Sequence, residues 1–300
     1  MSDASNDILA DRRFAWAKQL AAEGDHAAAA DLLEQVIEIA PGSAPAWAAL
    51  GEARERSGTP DTARAAWRRA AALDPEGRLG ADLRLARLEG RTPDAMPATY
   101  VRALFDDYAP HFERHLVDGL AYRGPELLVA ALDAAVPGRR FGRALDLGCG
   151  TGLMGRALAG RAARIDGVDI APRMIDVARR SGAYAMLTVA SLDEAVAAAP
   201  EGTFDLITAA DVLVYLGDLS SVFASIARVL TPGGLFAFTA QRCHAGGHAF
   251  GADLRFAHSP GCIETALAGA GLLTEQLDAL WARRENGRPV PGLVGVAHRR

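Results

Sequence analysis

Asp146 stands just before three glycines spaced two apart, in Ala144-Leu145-Asp146-Leu147-Gly148-Cys149-Gly150-Thr151-Gly152. An apolar strand that runs into an acid and then into such a loop builds a nucleotide-type pocket. Glycine lets the backbone turn tightly and approach a ligand closely. A helix expected from about Leu153 to Ala159 adds unpaired N–H groups at the mouth of the same crevice. Open α/β sheets bind ligands there, at the carboxyl ends of their strands.

Gly150-Thr151-Gly152-Leu153-Met154-Gly155 also fits the dinucleotide pattern G-x-G-x-x-G. Asp146 separates the two readings. A carboxylate at that point repels a pyrophosphate but suits a ligand with a cationic amino acid tail and no phosphate. S-adenosylmethionine is such a cofactor. Arg164-Ile165-Asp166-Gly167-Val168-Asp169-Ile170 then reads as a second strand ending in an acid. Asp169 is placed to accept the ribose hydroxyls. The helix expected over Ala171–Arg180 carries Pro172 in its first turn, where proline starts helices well.

Residues from about 141 to 240 resemble class I S-adenosylmethionine-dependent methyltransferases. The family's first motif is matched by Leu145–Gly152, and its acidic second-strand end by Asp169. Thr203-Phe204-Asp205-Leu206-Ile207-Thr208-Ala209-Ala210-Asp211 resembles the fourth strand. Leu230-Thr231-Pro232-Gly233-Gly234-Leu235-Phe236-Ala237-Phe238 resembles the turn into the fifth. The resemblance implies an α/β, doubly wound, seven-stranded Rossmann-like sheet with S-adenosyl-L-methionine as cofactor. One departure is visible. The family often has an Asp after the third strand, bonded to the adenine amine, and Ser191 occupies that place. A serine oxygen accepts the same hydrogen bond more weakly.

The same resemblance assigns roles. Asp146 and the loop of Gly148, Cys149, Gly150 and Gly152 are expected to face the methionine end. Asp169 and Ile170 are expected at the ribose, Ser191 at the adenine, and Asp211 near the methyl group. Tyr108 is expected to close over the cofactor. Methyl transfer from a sulfonium is an in-line displacement with a neutral leaving group, so alignment matters more than a catalytic triad. Where the acceptor must lose a proton, histidine is the natural base near neutral pH. His111 and His258 are the candidates, with His115 beside them, and Tyr215 is expected to line the acceptor pocket. Arg255 and Arg284 are potential partners for an anionic acceptor group. Cys243-His244-Ala245-Gly246-Gly247-His248, with His258 and Cys262, fits no zinc spacing. No metal is expected, and the stretch reads as a flexible loop near the acceptor.

The elements that position these residues follow the doubly wound order. Pro125–Ala135 is expected to be a helix feeding the first strand and Tyr184–Val189 the third strand. Leu219–Leu230 and Pro260–Gly269 are expected helices, and Leu272–Leu280 and Leu293–His298 the family's final antiparallel pair.

The first third of the chain is rich in Ala and Arg and periodic. Trp47, Leu50, Gly51, Gly58, Ala63, Trp67, Ala70 and Pro75 align with the tetratricopeptide pattern of about 34 residues. One period earlier lie Gly24, Ala29, Leu33 and Pro41. This predicts an all-α domain over residues 1–90, with repeats at about Ala10–Ser43 and Ala44–Gly77. Glu76–Leu88 is expected to cap the array or to dock on the next domain. The proline-marked segment 91–98 reads as a linker, and 99–300 as the methyltransferase domain, with lid helices over 99–135. The whole chain resembles bacterial tetratricopeptide-containing methyltransferases.

Composition narrows the field further. The chain has 300 residues, and half of them are hydrophobic, enough for a sizeable core. A net charge of −5 gives no support for general nucleic-acid binding. No apolar run is long enough for a bilayer, and Met1–Asp7 lacks the features of a signal peptide. Three cysteines imply no disulfide framework, and the expected location is cytoplasmic. The acceptor stays open between a small-molecule oxygen or nitrogen, a carrier-bound acid and a protein side chain. The repeats suggest a protein or peptide partner. Two rival functions share the glycines: a nicotinamide-dependent oxidoreductase and a catalytically inactive cofactor-binding scaffold. The short-chain reductase form needs Tyr-x-x-x-Lys, and Lys18 is the single lysine.

Overall fold

Gly51 stands where no side chain fits: a Cβ there would lie 2.6 Å from the Trp67 ring. Such small residues decide how closely the first helices meet. The computed structural model describes residues 2–300, and Met1, the first residue of the expected helical domain, lies outside the described residues. The chain divides after Pro93 into two units.

The first unit is entirely helical: α1 (Ser2–Ala22), α2 (His26–Ile39), α3 (Ala44–Arg56), α4 (Pro60–Leu73) and α5 (Ala81–Leu88). The pairs α1–α2 and α3–α4 are the two expected repeats, and α1 starts earlier than the periodicity indicated. Asp25 and Ser43 cap α2 and α3 by accepting the N–H groups of Ala28 and Ala46. Such caps stabilise a helix by roughly 1 kcal/mol each. Trp67 packs with Ala63, Ala70, Ala81 and Leu85, so α5 covers the open face of α4. The Trp67 indole N–H donates to Glu55 at 2.6 Å, and Arg87 pairs with the same carboxylate.

The second unit, Asp94–Arg300, begins with α6 (Ala98–Tyr108), a π-helical turn at Arg114–Gly119 and α7 (Gly124–Ala135). Then β1 (Phe141–Leu147), α8 (Leu153–Ala157), β2 (Ala162–Asp169), α9 (Pro172–Arg180), β3 (Met186–Val189) and α10 (Leu192–Ala198) alternate. They are followed by β4 (Phe204–Ala209), α11 (Ser220–Val229) and β5 (Leu230–Arg242). The chain continues through β6 (His248–Phe250), β7 (Phe256–His258), α12 (Pro260–Gly269) and β8 (Leu272–Leu280). It ends with β9 (Arg284–Glu285), β10 (Arg288–Pro289) and β11 (Gly292–Arg299).

The sheet order is β3-β2-β1-β4-β5-β11-β8. The strands β1 to β5 pair in parallel, while β11 runs antiparallel between β5 and β8. These are the seven strands expected. The order reverses between β1 and β4, so the crevice for a ligand opens at their carboxyl ends. Side chains alternate along β4: Ile207 and Ala209 join a core with Phe223, Phe236 and Phe238, while Leu206 joins one with Leu128 and Met154 on the other face. Each large side chain buried this way contributes about 1.5–3 kcal/mol.

One stretch departs from expectation. Residues 243–247 have no helix or strand, as expected of a loop, but His248 and His258 lie on β6 and β7, which form a hairpin, and β7 pairs with β5. The expected linker 91–98 also differs from an unattached tether at its end. Ala95 forms a β-bridge with Leu216, and Met96 is buried.

Candidate active site

The loops that follow β1, β2, β3 and β4 meet over one cavity of about 520 Å³, within the usual range for small-ligand sites. Its wall includes the expected residues Gly148, Cys149, Gly150, Asp169, Ile170, Ser191, Asp211, Tyr215 and Tyr108.

The glycine loop needs its glycines. Gly148 and Gly150 have φ of 64° and 53°, in the left-handed region that side chains disfavour. At Gly148 a Cβ would also meet Val212 Cγ2 at 2.3 Å. The loop is then tied to β2, where Asp169 Oδ2 accepts the Gly150 N–H and Oδ1 the Ala171 N–H, both at 2.9 Å. Burial pushes the Asp169 carboxyl up to about 6, and these backbone bonds work against that rise. Each oxygen keeps a second lone pair, so the group retains acceptor capacity for hydroxyls on a ligand.

Asp146 is placed differently from expectation. It is 1 % exposed and lies beneath the glycine loop, not on the cavity wall. The alternation of β1 turns its side chain to the face where Thr208 lies opposite, and Thr208 Oγ1 donates to it at 2.9 Å. The Tyr184 hydroxyl donates to its other oxygen at 2.7 Å. Burial raises the carboxyl to about 7, the two hydrogen bonds oppose this, and nearby Asp169 adds to it. Gly152 is likewise off the wall and faces Ser181 and Tyr184.

Ser191 lines the cavity, but its hydroxyl accepts the Glu194 N–H while Glu194 accepts the Ser191 N–H. This capping box gives the side chain a structural partner and takes up one of the two lone pairs of its hydroxyl. Neither His111 nor His258 stands at the cavity. His111 is exposed and off the wall. His258 is fully buried, its Nε2 bonds the Gly217 carbonyl at 3.0 Å, and burial lowers its pKa. His115 does line the cavity and contacts the Tyr108 hydroxyl through Nδ1. The aromatic rings of Tyr108 and Phe112 stand edge to face, and Phe112 lies over Gly150, where it would be 3.7 Å from a Cβ.

The wall also includes Tyr215, Asp211, Arg255, Glu285 and Asn286. Asp211 has φ of 59°, an unusual backbone for a non-glycine residue, and its N–H donates to Thr239 at 2.8 Å. Its carboxylate pairs with Arg283 at 3.0 Å and Arg255 at 3.3 Å. Arg283, 3 % exposed, also holds Glu285 at 3.1 Å. Burial pushes the Tyr215 phenol up to about 12. The sequence patterns did not single out Arg283 and Tyr122, because no local pattern links them to the loops they meet. Among the described residues no group of His, Cys, Asp and Glu is placed to hold a metal ion.

The sheet order, the glycine loop and Asp169 define a class I methyltransferase domain. Residues 145–238 match the family model described as a methyltransferase domain, and residues 20–88 the one described as a tetratricopeptide repeat. The chain therefore joins tetratricopeptide repeats to a class I methyltransferase domain. Ubiquinone biosynthesis O-methyltransferase of Xanthomonas oryzae pv. oryzae is 36 % identical over 107 residues, covering 34 % of this chain and 45 % of that protein. Malonyl-acyl-carrier-protein O-methyltransferase of Enterobacter lignolyticus is 32 % identical over 139 residues, covering 46 % and 52 %. The chain thus spans about half the length of these relatives. The fold is also that of the Burkholderia thailandensis 1,6-didemethyltoxoflavin-N1-methyltransferase, at 20 % identity and a TM-score of 0.53, covering 69 % of this chain and 92 % of that one.

Proposed function

We propose that this chain transfers the methyl group of S-adenosyl-L-methionine to an oxygen or nitrogen acceptor. The observation that carries the reading is Asp169: its carboxylate stands on the cavity wall, locked to the glycine loop, with acceptor capacity left for ribose hydroxyls. Two further facts favour a sulfonium nucleoside over a dinucleotide. A second carboxylate, Asp146, lies under the loop where a pyrophosphate would rest. The sheet does not complete a second parallel half, because β11 enters antiparallel beside β5.

In the reaction the acceptor's lone pair attacks the methyl carbon, the C–S bond breaks, and its electron pair returns to a neutral sulfur. The cavity's work is alignment and exclusion of water. Gly148 and Gly150 hold the cofactor's tail, Asp169 and Ile170 its ribose, and Tyr108 covers it. Tyr215 and Asp211 border the acceptor end. The two relatives are both O-methyltransferases by name, which supports oxygen as the acceptor atom. The acceptor is a small molecule, a carrier-bound acid or a protein, and the helical repeats supply a surface for a protein or peptide partner. Three free cysteines fit a reducing, cytoplasmic setting. Among the described residues no helix is long and apolar enough to cross a membrane.

The test is calorimetric titration with S-adenosylhomocysteine and with NADH, followed by labelling of a cell extract with tritiated S-adenosylmethionine. Saturation by the adenosyl ligand, and label transfer that Asp169→Ala abolishes, are expected. Saturation by NADH alone would sink the proposal.

A further inference from the structure

Three glycines in the second unit face one aromatic ring. A Cβ on Gly155 would lie 2.3 Å from the Tyr184 ring, one on Gly167 2.8 Å and one on Gly152 3.2 Å. The ring therefore fills a slot between α8, β2 and the glycine loop. From that slot its hydroxyl donates to Asp146 Oδ2 at 2.7 Å and accepts the Gly155 N–H at 3.1 Å. A phenol has one proton and two lone pairs, so both bonds form together. Gly155 sits in the first turn of α8, where backbone N–H groups lack helical partners. One side chain thus ties the loop's helix to the carboxylate beneath the loop.

Resting on the reading of the cavity as a sulfonium-nucleoside site, we propose that Tyr184 is a positioning residue of that site: its ring sets the glycine loop against β2, and its hydroxyl keeps Asp146 oriented and ionised beneath the loop, where the charge attracts the cofactor's cationic end. The groups acting on Asp146 agree. Tyr184 and Thr208 favour its charged form, and Asp169 across the loop opposes it. Cys149 and Tyr122 also face it, and burial pushes both toward their neutral forms. Burial pushes the carboxyl up to about 7, so the loss of one donor lowers the charged fraction at physiological pH.

Tyr184→Phe keeps the ring and removes the hydroxyl. Its affinity for S-adenosylmethionine is read by calorimetry from about pH 6 to 8.5, as a ratio to the wild-type value, because the ligand's own amine titrates alike against both. The variant is expected to bind about ten- to fiftyfold more weakly near neutral pH. The gap should narrow as pH rises and Asp146 ionises unaided. Thr208→Val, which removes the other donor, should move affinity the same way. Asp146→Asn should bind weakly throughout, with no narrowing. A Tyr184→Phe protein that binds like wild type, or a gap that does not change with pH, overturns the role, since loss of mere packing gives no pH dependence. Wild-type protein that binds NADH but not S-adenosylmethionine overturns the cofactor reading and this inference with it.

Discussion

Asp146 and Thr208 lie opposite each other on adjacent parallel strands, and the threonine hydroxyl donates to the carboxylate at 2.9 Å. The pair places an ionisable group inside the sheet face that packs against α8. Burial pushes the folded carboxyl up from its ordinary value of 3.8 to about 7. Between those values the folded chain keeps a proton that the unfolded chain has lost. Stability therefore falls as pH rises through this window. Asp146→Asn removes the titration while an amide still fills the space. Relative to wild type, the variant is expected to gain about 2–3 kcal/mol between pH 5 and pH 8. Urea midpoints at the two pH values measure it, and parallel behaviour of the two proteins would show that Asp146 titrates normally.

Gly148→Ala meets two obstacles, a left-handed φ of 64° and Val212 Cγ2 at 2.3 Å. A loss of about 2–4 kcal/mol is expected. Adding Val212→Ala should return the steric part and leave the backbone part. Gly150→Ala, with Phe112 no closer than 3.7 Å, should lose only about 1 kcal/mol. Thermal melts of the four proteins test the division, and equal losses for the two single variants contradict it.

Ser191→Ala removes the hydroxyl that caps α10. The expected cost is about 1 kcal/mol of stability. Affinity for S-adenosylhomocysteine should stay within about twofold, because the cap and the cofactor contact are separate. A large fall in affinity at unchanged stability would instead support an adenine contact by this serine.

Arg283→Met leaves Asp211 and Glu285 without their buried partner. The expected loss is about 1–3 kcal/mol, because Asp211 keeps Arg255 as a partner and Glu285 is already partly exposed to water. Combining it with Asp211→Asn and Glu285→Gln should recover much of that loss. Urea denaturation of the single and triple variants checks it, and equal instability would mean that the arginine acts by packing alone.

Much was legible without the fold. The strand-acid-glycine run at Asp146–Gly152, the acid at Asp169 and the helix period around Trp47 and Trp67 are local patterns. Each is written within one turn, strand or repeat. That is why the elements around the site and the wall residues Gly148, Gly150 and Asp169 could be read directly.

Other assignments depended on distance in the chain. Arg283 meets Asp211 across 72 positions, and Tyr184 meets Asp146 across 38. His258 has the right chemistry for a base, yet pairing of β7 with β5 seals it away from the cavity. Residue types and periodicity settled which elements form, because hydrophobic spacing and turn chemistry act over a few residues. Only the tertiary structure decided which polar groups face the ligand and which are buried behind it, because that depends on strand register and on side chains brought together from separate elements.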